Sequence, residues 1–223
     1  MNDDDLKQLF TEGEPLAAAN IEKMAATLAA SAAPVRPLPS NAVLWAISFG
    51  IFAALSLVIA AAVKLYAIQV LSVSQMFLYY GLVFLLAAFF SRAIVEQMIP
   101  GAVRLIRSSV LAIVGMSALV LLIIAMFENL GTDHFVIHGI PCLRLGLISA
   151  LLSGFLGWRL LDRGYLVSPP ETITVYGLFA GLVGVSVLAL HCPILNSLHI
   201  LVWHLGAMLI AGLLGFFISR YAI

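Results

Sequence analysis

Six apolar stretches, each close to the roughly 20 residues a helix needs to cross a bilayer, leave this chain little choice of fold. They run from Asn41 to Val63, Val73 to Phe90, Ser108 to Phe127, Leu143 to Leu161, Ile173 to Leu190 and Leu198 to Ser219. Backbone in hydrocarbon must satisfy its own polar groups, so stretches of this kind become helices. The predicted fold is an all-α integral membrane protein, a six-transmembrane-helix bundle occupying residues 41–223. Composition agrees, because 63% of the 223 residues are hydrophobic and 10% charged, whereas a soluble domain is about half apolar. Interior glycines such as Gly154, Gly181, Gly184 and Gly212 offer the close helix approach that replaces a hydrophobic drive in lipid.

Charge sets the orientation. The chain carries 11 basic and 11 acidic residues, a balance that by itself says nothing about nucleic acid, and no direct nucleic-acid partner is expected; the distribution carries the information. An even number of spans puts both termini on one side. With that side cytoplasmic, Lys7, Lys23, Arg36, Arg92, Arg104, Arg107, Arg159, Arg163 and Arg220 lie inside, against Lys64 and Arg144 outside. Basic residues favour the cytoplasmic face, and this asymmetry predicts cytoplasmic termini. The polar, acidic opening of the chain does not resemble a cleaved leader, so the tail is expected on the mature protein.

Residues 1–40 read as a separate cytoplasmic tail, helical and then extended. Asp3, Asp4, Asp5, Glu12, Glu14 and Glu22 outnumber Lys7, Lys23 and Arg36. Two short helical patterns carry apolar anchors, first Leu6, Leu9 and Phe10, then Ile21, Met24 and Leu28 after Pro15. Val35 to Pro39 resists helix and predicts an extended strap. Apolar anchors on an acidic background suit a segment that folds on a basic partner, the anchors supplying affinity and the charges steering.

The chemistry sits on the predicted outer face. Cys142 and Cys192 are placed at the mouths of connections between spans, where an oxidising compartment would allow a disulfide, either as a redox sensor or as a static staple. The five histidines, His134, His138, His191, His199 and His204, all fall on the outer side or in the outer part of the sixth span. With Cys142, Cys192, Asp133 and Glu128 they supply the mixed ligands that suit a heavy-metal ion; the candidate metal set is His134, His138, His191, Cys142 and Cys192, although their spacing is no closed four-ligand signature. Gly139 and Pro141 predict that any helix carrying His134 and His138 is short. Buried His199 or His204 can instead hydrogen-bond between helices, and imidazoles can also report pH. No cofactor is required by these residues.

Three segments together resemble the NrsF-type family of bacterial membrane anti-sigma factors. They are the strap Pro34-Val35-Arg36-Pro37-Leu38-Pro39 leading into Leu44-Trp45, the run Pro141-Cys142-Leu143-Arg144-Leu145-Gly146-Leu147, and Leu190-His191-Cys192-Pro193 before Val202-Trp203. The resemblance implies a six-span inner-membrane protein whose tail holds an extracytoplasmic-function sigma factor. It also implies that the two cysteines sense metal or oxidative stress from outside. The chain departs from that pattern at His204, which follows Trp203 where an aromatic residue is expected, and in the acidity of its tail.

Other classes fit less well. A small six-helix transporter or a plain metal-binding membrane protein is the alternative, but ion-coupled transporters place ionisable groups inside the bilayer and break helices there, and neither feature is evident. No Gly-x-Ser-x-Gly or phosphate-cradling glycine loop is present, so the chain is not expected to be an enzyme.

Overall fold

The computed structural model describes residues 22–23, 25–27, 30, 39–99, 101–102, 106–127, 135–161, 164, 166 and 168–221. The chain divides into two units, Met1–Pro37 and Leu38–Ile223. In the first, the described residues are helical, with the Thr27 hydroxyl donating to the Lys23 carbonyl at 2.8 Å. Leu6, Leu9, Phe10, Ile21, Met24 and Leu28 lie outside the described residues.

Among the described residues of the second unit, six helices are long and apolar enough to span a membrane. They are α1 (Asn41–Val63), α2 (Val73–Gln97), α3 (Ser108–Met126), α4 (Phe135–Leu161), α5 (Pro169–His191) and α6 (Ser197–Tyr221). Local chemistry sets several of their ends. Ser72 caps α2 through a reciprocal capping box with Gln75, which satisfies two orphan N–H groups at once. Pro169 and Pro170 open α5 with Glu171 in its first turn, where a missing N–H is harmless and a carboxylate suits the helix dipole.

Two boundaries differ from the sequence expectation. Arg92 and Glu96, expected in a connection, are helical, because the apolar run continues through Ala93, Ile94 and Val95 and α2 ends only at Gln97. Their side chains pair at 2.8 Å one turn apart. More consequentially, α4 begins at Phe135 and runs through Gly139 and Pro141 without interruption. A proline near a helix start forfeits one backbone hydrogen bond, here the one to the Ile137 carbonyl, and the chain tolerates it. Cys142 is therefore not at a loop mouth but about 10 Å along α4 at 1.5 Å per residue.

The helix at the centre is α5. It packs against all five other spans, and its most apolar window is 89% buried. Leu182, Val183, Val185, Val187 and Leu188 are fully enclosed. Two glycines make the crossings possible. A Cβ on Gly181 would strike the Met208 backbone of α6, and one on Gly184 the Gly146 carbonyl of α4; with hydrogen there, the backbones approach closely. The outer helices carry the opposite load, with Phe77, Ile113, Leu121, Ile137 and Phe155 each more than 60% exposed, an apolar surface suited to lipid rather than water.

The connections collect at two ends. At one, His191 Nδ1 donates to the Lys64 carbonyl at 3.0 Å, Gln75 Nε2 to the Met126 carbonyl at 3.3 Å, and the Phe135 and Trp203 rings lie 5.2 Å apart. This end also holds both cysteines and is called the thiol end. At the other, the glutamine end, Gln97, Ser108 and Thr172 join α2, α3 and α5, and Trp45 Nε1 donates to the Ala88 carbonyl at 3.0 Å.

Candidate functional site

At the thiol end, three helices deliver four ligating side chains to one buried spot. Cys142 comes from the second turn of α4, Cys192 immediately follows α5, and His199 and His204 stand on the first turns of α6. One ligand atom from each lies within 4.8 Å of the others. Neither cysteine is in a disulfide. The Cys142 thiol donates to Cys192 Sγ at 3.6 Å, and His199 Nε2 lies 3.5 Å from Cys192 Sγ.

Local structure explains how histidines five apart reach the same spot. In an uninterrupted α-helix, at 3.6 residues per turn, side chains five apart point about 140° from one another. Residues Ile200–His204 form a π turn instead, closed by the Leu205 N–H donating to the Ile200 carbonyl. A π turn brings positions five apart onto one face, and such turns occur often at functional sites. The two rings consequently meet edge to face at 5.5 Å. Asn196 fixes the approach by accepting from Leu198 N at 2.9 Å and His199 N at 3.3 Å, the role of an N-cap.

The surroundings are apolar. Leu145, Leu188, Ile194 and Trp203 pack around the thiols. The Trp203 indole lies where a Cβ on Gly139 would otherwise be, so the glycine that suggested a broken helix is what lets the ring close over α4. His204 is 2% exposed and neither ring nitrogen has a hydrogen-bond partner. It faces Cys192 within the 4.8 Å group, and the Cys192 sulfur is the polar neighbour it interacts with. A buried polar group normally finds a partner, so this ring marks the site as incomplete in terms of protein groups alone. The Cys142 thiol first, and then the histidines, hold the Cys192 thiol below its ordinary range, against burial, which pushes it up.

The structure brings together Cys142 and Cys192, as the disulfide and metal readings both require, but gathers a different set of histidines around them. His191 turns away to the Lys64 carbonyl, its ring 5.7 Å from Tyr66. His138 is exposed in the first turn of α4 and outside the group. His134 lies outside the described residues. His199 and His204, left out of the candidate metal set, lie at most 12 positions from Cys192; their five-residue spacing matches no helical face until the π turn is known.

The family model for negative regulators of sigma F, NrsF, matches residues 28–223. The chain belongs to this family. As an NrsF-family member it is a negative regulator of a sigma factor, with a sigma factor as its partner. The match takes in all six spans and all four residues of the thiol–imidazole group, and of the six tail anchors it takes in Leu28 alone. No curated protein and no solved structure matches the chain.

Proposed function

We propose that this NrsF-family regulator is an inner-membrane anti-sigma factor with both termini cytoplasmic. Its tail, residues 1–40, sequesters an extracytoplasmic-function sigma factor through Leu6, Leu9, Phe10, Ile21, Met24 and Leu28. A periplasmic redox or heavy-metal signal received at Cys142 and Cys192 releases that partner. It acts by binding and not by catalysis.

The observation that carries the sensing half is the pair of free thiols 3.6 Å apart. A disulfide needs sulfurs within about 2.05 Å and Cα atoms within about 7 Å, so only a small local movement separates the dithiol from the bonded state. The thiol end also carries few basic residues, Lys64 and Arg144, as expected of a periplasmic face. A route inward is built into the packing. Cys192 follows the last residue of α5, α5 touches every other span, and α1, which it touches, is the span next to the tail in sequence. Sulfur chemistry that shifts α5 therefore biases the helix that leads to the partner-binding segment.

The test is capture of a sigma factor by the full-length chain in detergent micelles, followed by addition of a mild oxidant or cadmium. Wild type should hold the sigma factor and then release it. A variant with Leu6, Leu9 and Phe10 changed to Asp should capture none, and a Cys142→Ser, Cys192→Ser variant should capture normally and fail to release. Capture that survives the tail changes would refute the tail assignment, and undiminished release from the serine variant would refute the sensing assignment.

A further inference from the structure

We infer that Cys142, Cys192, His199 and His204 are the four ligands of a site for a divalent ion of the zinc class. The inference deepens the reading of the thiols as the place where the signal is received, and rests on that reading only for its regulatory meaning. It adds two histidines, a geometry and a ligand class.

The separations fit a tetrahedral ion. With metal–sulfur bonds of about 2.3 Å and metal–nitrogen bonds of about 2.0–2.1 Å, a regular tetrahedron has edges of about 3.8 Å between sulfurs and about 3.6 Å between sulfur and nitrogen. The protein holds Cys142 Sγ and Cys192 Sγ at 3.6 Å, and Cys192 Sγ and His199 Nε2 at 3.5 Å. Two edges of the tetrahedron are therefore set to within a few tenths of an ångström, and no other edge exceeds 4.8 Å. The fourth ligand, His204, lies within 4.8 Å and needs only a small movement of its ring.

Hydrogen bonding alone would account for the first three groups, since thiols and imidazoles make contacts of this length. It does not account for His204. An imidazole 2% exposed, with neither nitrogen in a hydrogen bond of ordinary geometry, has the Cys192 sulfur as its favourable polar neighbour. Leaving a buried donor or acceptor unmet costs about 1–3 kcal/mol, and an ion meets the acceptor nitrogen by taking its lone pair, leaving only the ring N–H.

Charge points the same way. A divalent cation with two thiolates and two neutral imidazoles sums to zero, the value a buried site at a membrane face can hold most cheaply. Binding requires both sulfurs as thiolates and releases whatever protons they carry, and no oxidant or reductant enters. A tetrahedral set of two sulfurs and two nitrogens selects zinc over harder ions. Four protein ligands leave no open position, so the site is of the closed, structural type. Its mechanical effect would be to tie α4, the end of α5 and the π turn of α6 into one unit.

The full-length protein, in micelles with a non-thiol reductant, is titrated with Zn2+ and with Co2+ as the spectroscopic probe. One ion should bind per chain, and Co2+ should show the visible bands of a tetrahedral centre with thiolate charge transfer. Loss of an outer-shell partner already weakens metal sites 10–100-fold, so His199→Ala, His204→Ala and Cys192→Ser should each weaken binding at least about 100-fold. His138→Ala and His191→Ala should bind as wild type does. His204→Gln, with helical content and elution position checked, guards against a folding defect in the alanine variant.

No ion bound by folded wild type, binding unchanged in both His204 variants, or equal loss in His191→Ala would each overturn the inference. The first outcome would leave a buried water, in the cavity of about 10 Å³ that His204 shares with Tyr79 and Cys192, as the partner of the ring. No sigma factor is present in the titration, so its failure leaves the proposed capture by the tail intact, and failed capture leaves the metal result intact.

Discussion

The two ends of α5 each bury a polar cluster, and they resolve it differently. At the glutamine end, Gln97 is 1% exposed and fully used: its amide nitrogen donates to the Ala93 carbonyl and to Ser108 Oγ, and its amide oxygen accepts from Thr172 Oγ1 at 2.8 Å. At the thiol end, His204 is as deeply buried and has no hydrogen-bond partner. Complete hydrogen bonding makes the first cluster a fastening between α2, α3 and α5. The second leaves the ring nitrogens of His204 outside any hydrogen bond of ordinary geometry, within 4.8 Å of two thiols and a second imidazole. Burial alone does not distinguish these two clusters, whereas their hydrogen bonding does.

That contrast can be broken by experiment. The largest effect should come from Gly184→Leu, which drives a side chain into the Gly146 backbone and parts α5 from α4. Overpacking typically costs about 1–3 kcal/mol and sometimes more; SDS titration of the protein in micelles should place this variant at or above the top of that range, with Cys142 and Cys192 no longer readily cross-linked. Next in size is zinc. At about 100 times its Kd, Zn2+ should stabilise wild type by about 2.7 kcal/mol and His204→Leu, bound at least about 100-fold more weakly, by about 0.4 kcal/mol at most in the same assay.

In chelator the sign reverses. His204→Leu removes an unmet polar group and should be more stable than wild type, by about 1–2 kcal/mol. Gln97→Leu should do the opposite, losing about 1–2 kcal/mol, since hydrogen bonds between spans are worth about 0.6 kcal/mol each and at most about 1.7, and its loss should not depend on zinc. Equal destabilisation by both leucine variants in chelator would erase the distinction between the ends. The smallest change belongs to Arg92→Ala, whose side chain is 55% exposed in a pair one turn apart with Glu96; about 0.3–0.5 kcal/mol is expected, near the resolution of the titration.

Much of the fold was legible because hydropathy and length act locally. The starts or ends of α1, α3 and α5 follow from apolar runs bounded by Ser40, by Phe127 and by Ser168-Pro169-Pro170. Where reading failed, a tertiary contact outweighed a local signal. Gly139 and Pro141 read as helix breakers, but the glycine makes room for Trp203 and the proline sits early enough in α4 to forfeit little. The cysteine pair was legible as chemistry. Its histidine partners were not, because His199 and His204 share a face only through the π turn.

By itself, the sequence determined that this chain has six segments long and apolar enough to span a membrane, and that the two thiols fall at the same end of them, since each depends on the composition of single segments. Tertiary structure alone decided that α5 lies at the centre and which histidines meet the thiols. All six spans are apolar on nearly every side, so hydropathy cannot rank them. Helices in lipid choose neighbours by close packing at positions such as Gly181 and Gly184, and that choice carries Cys142, Cys192, His199 and His204 to one point.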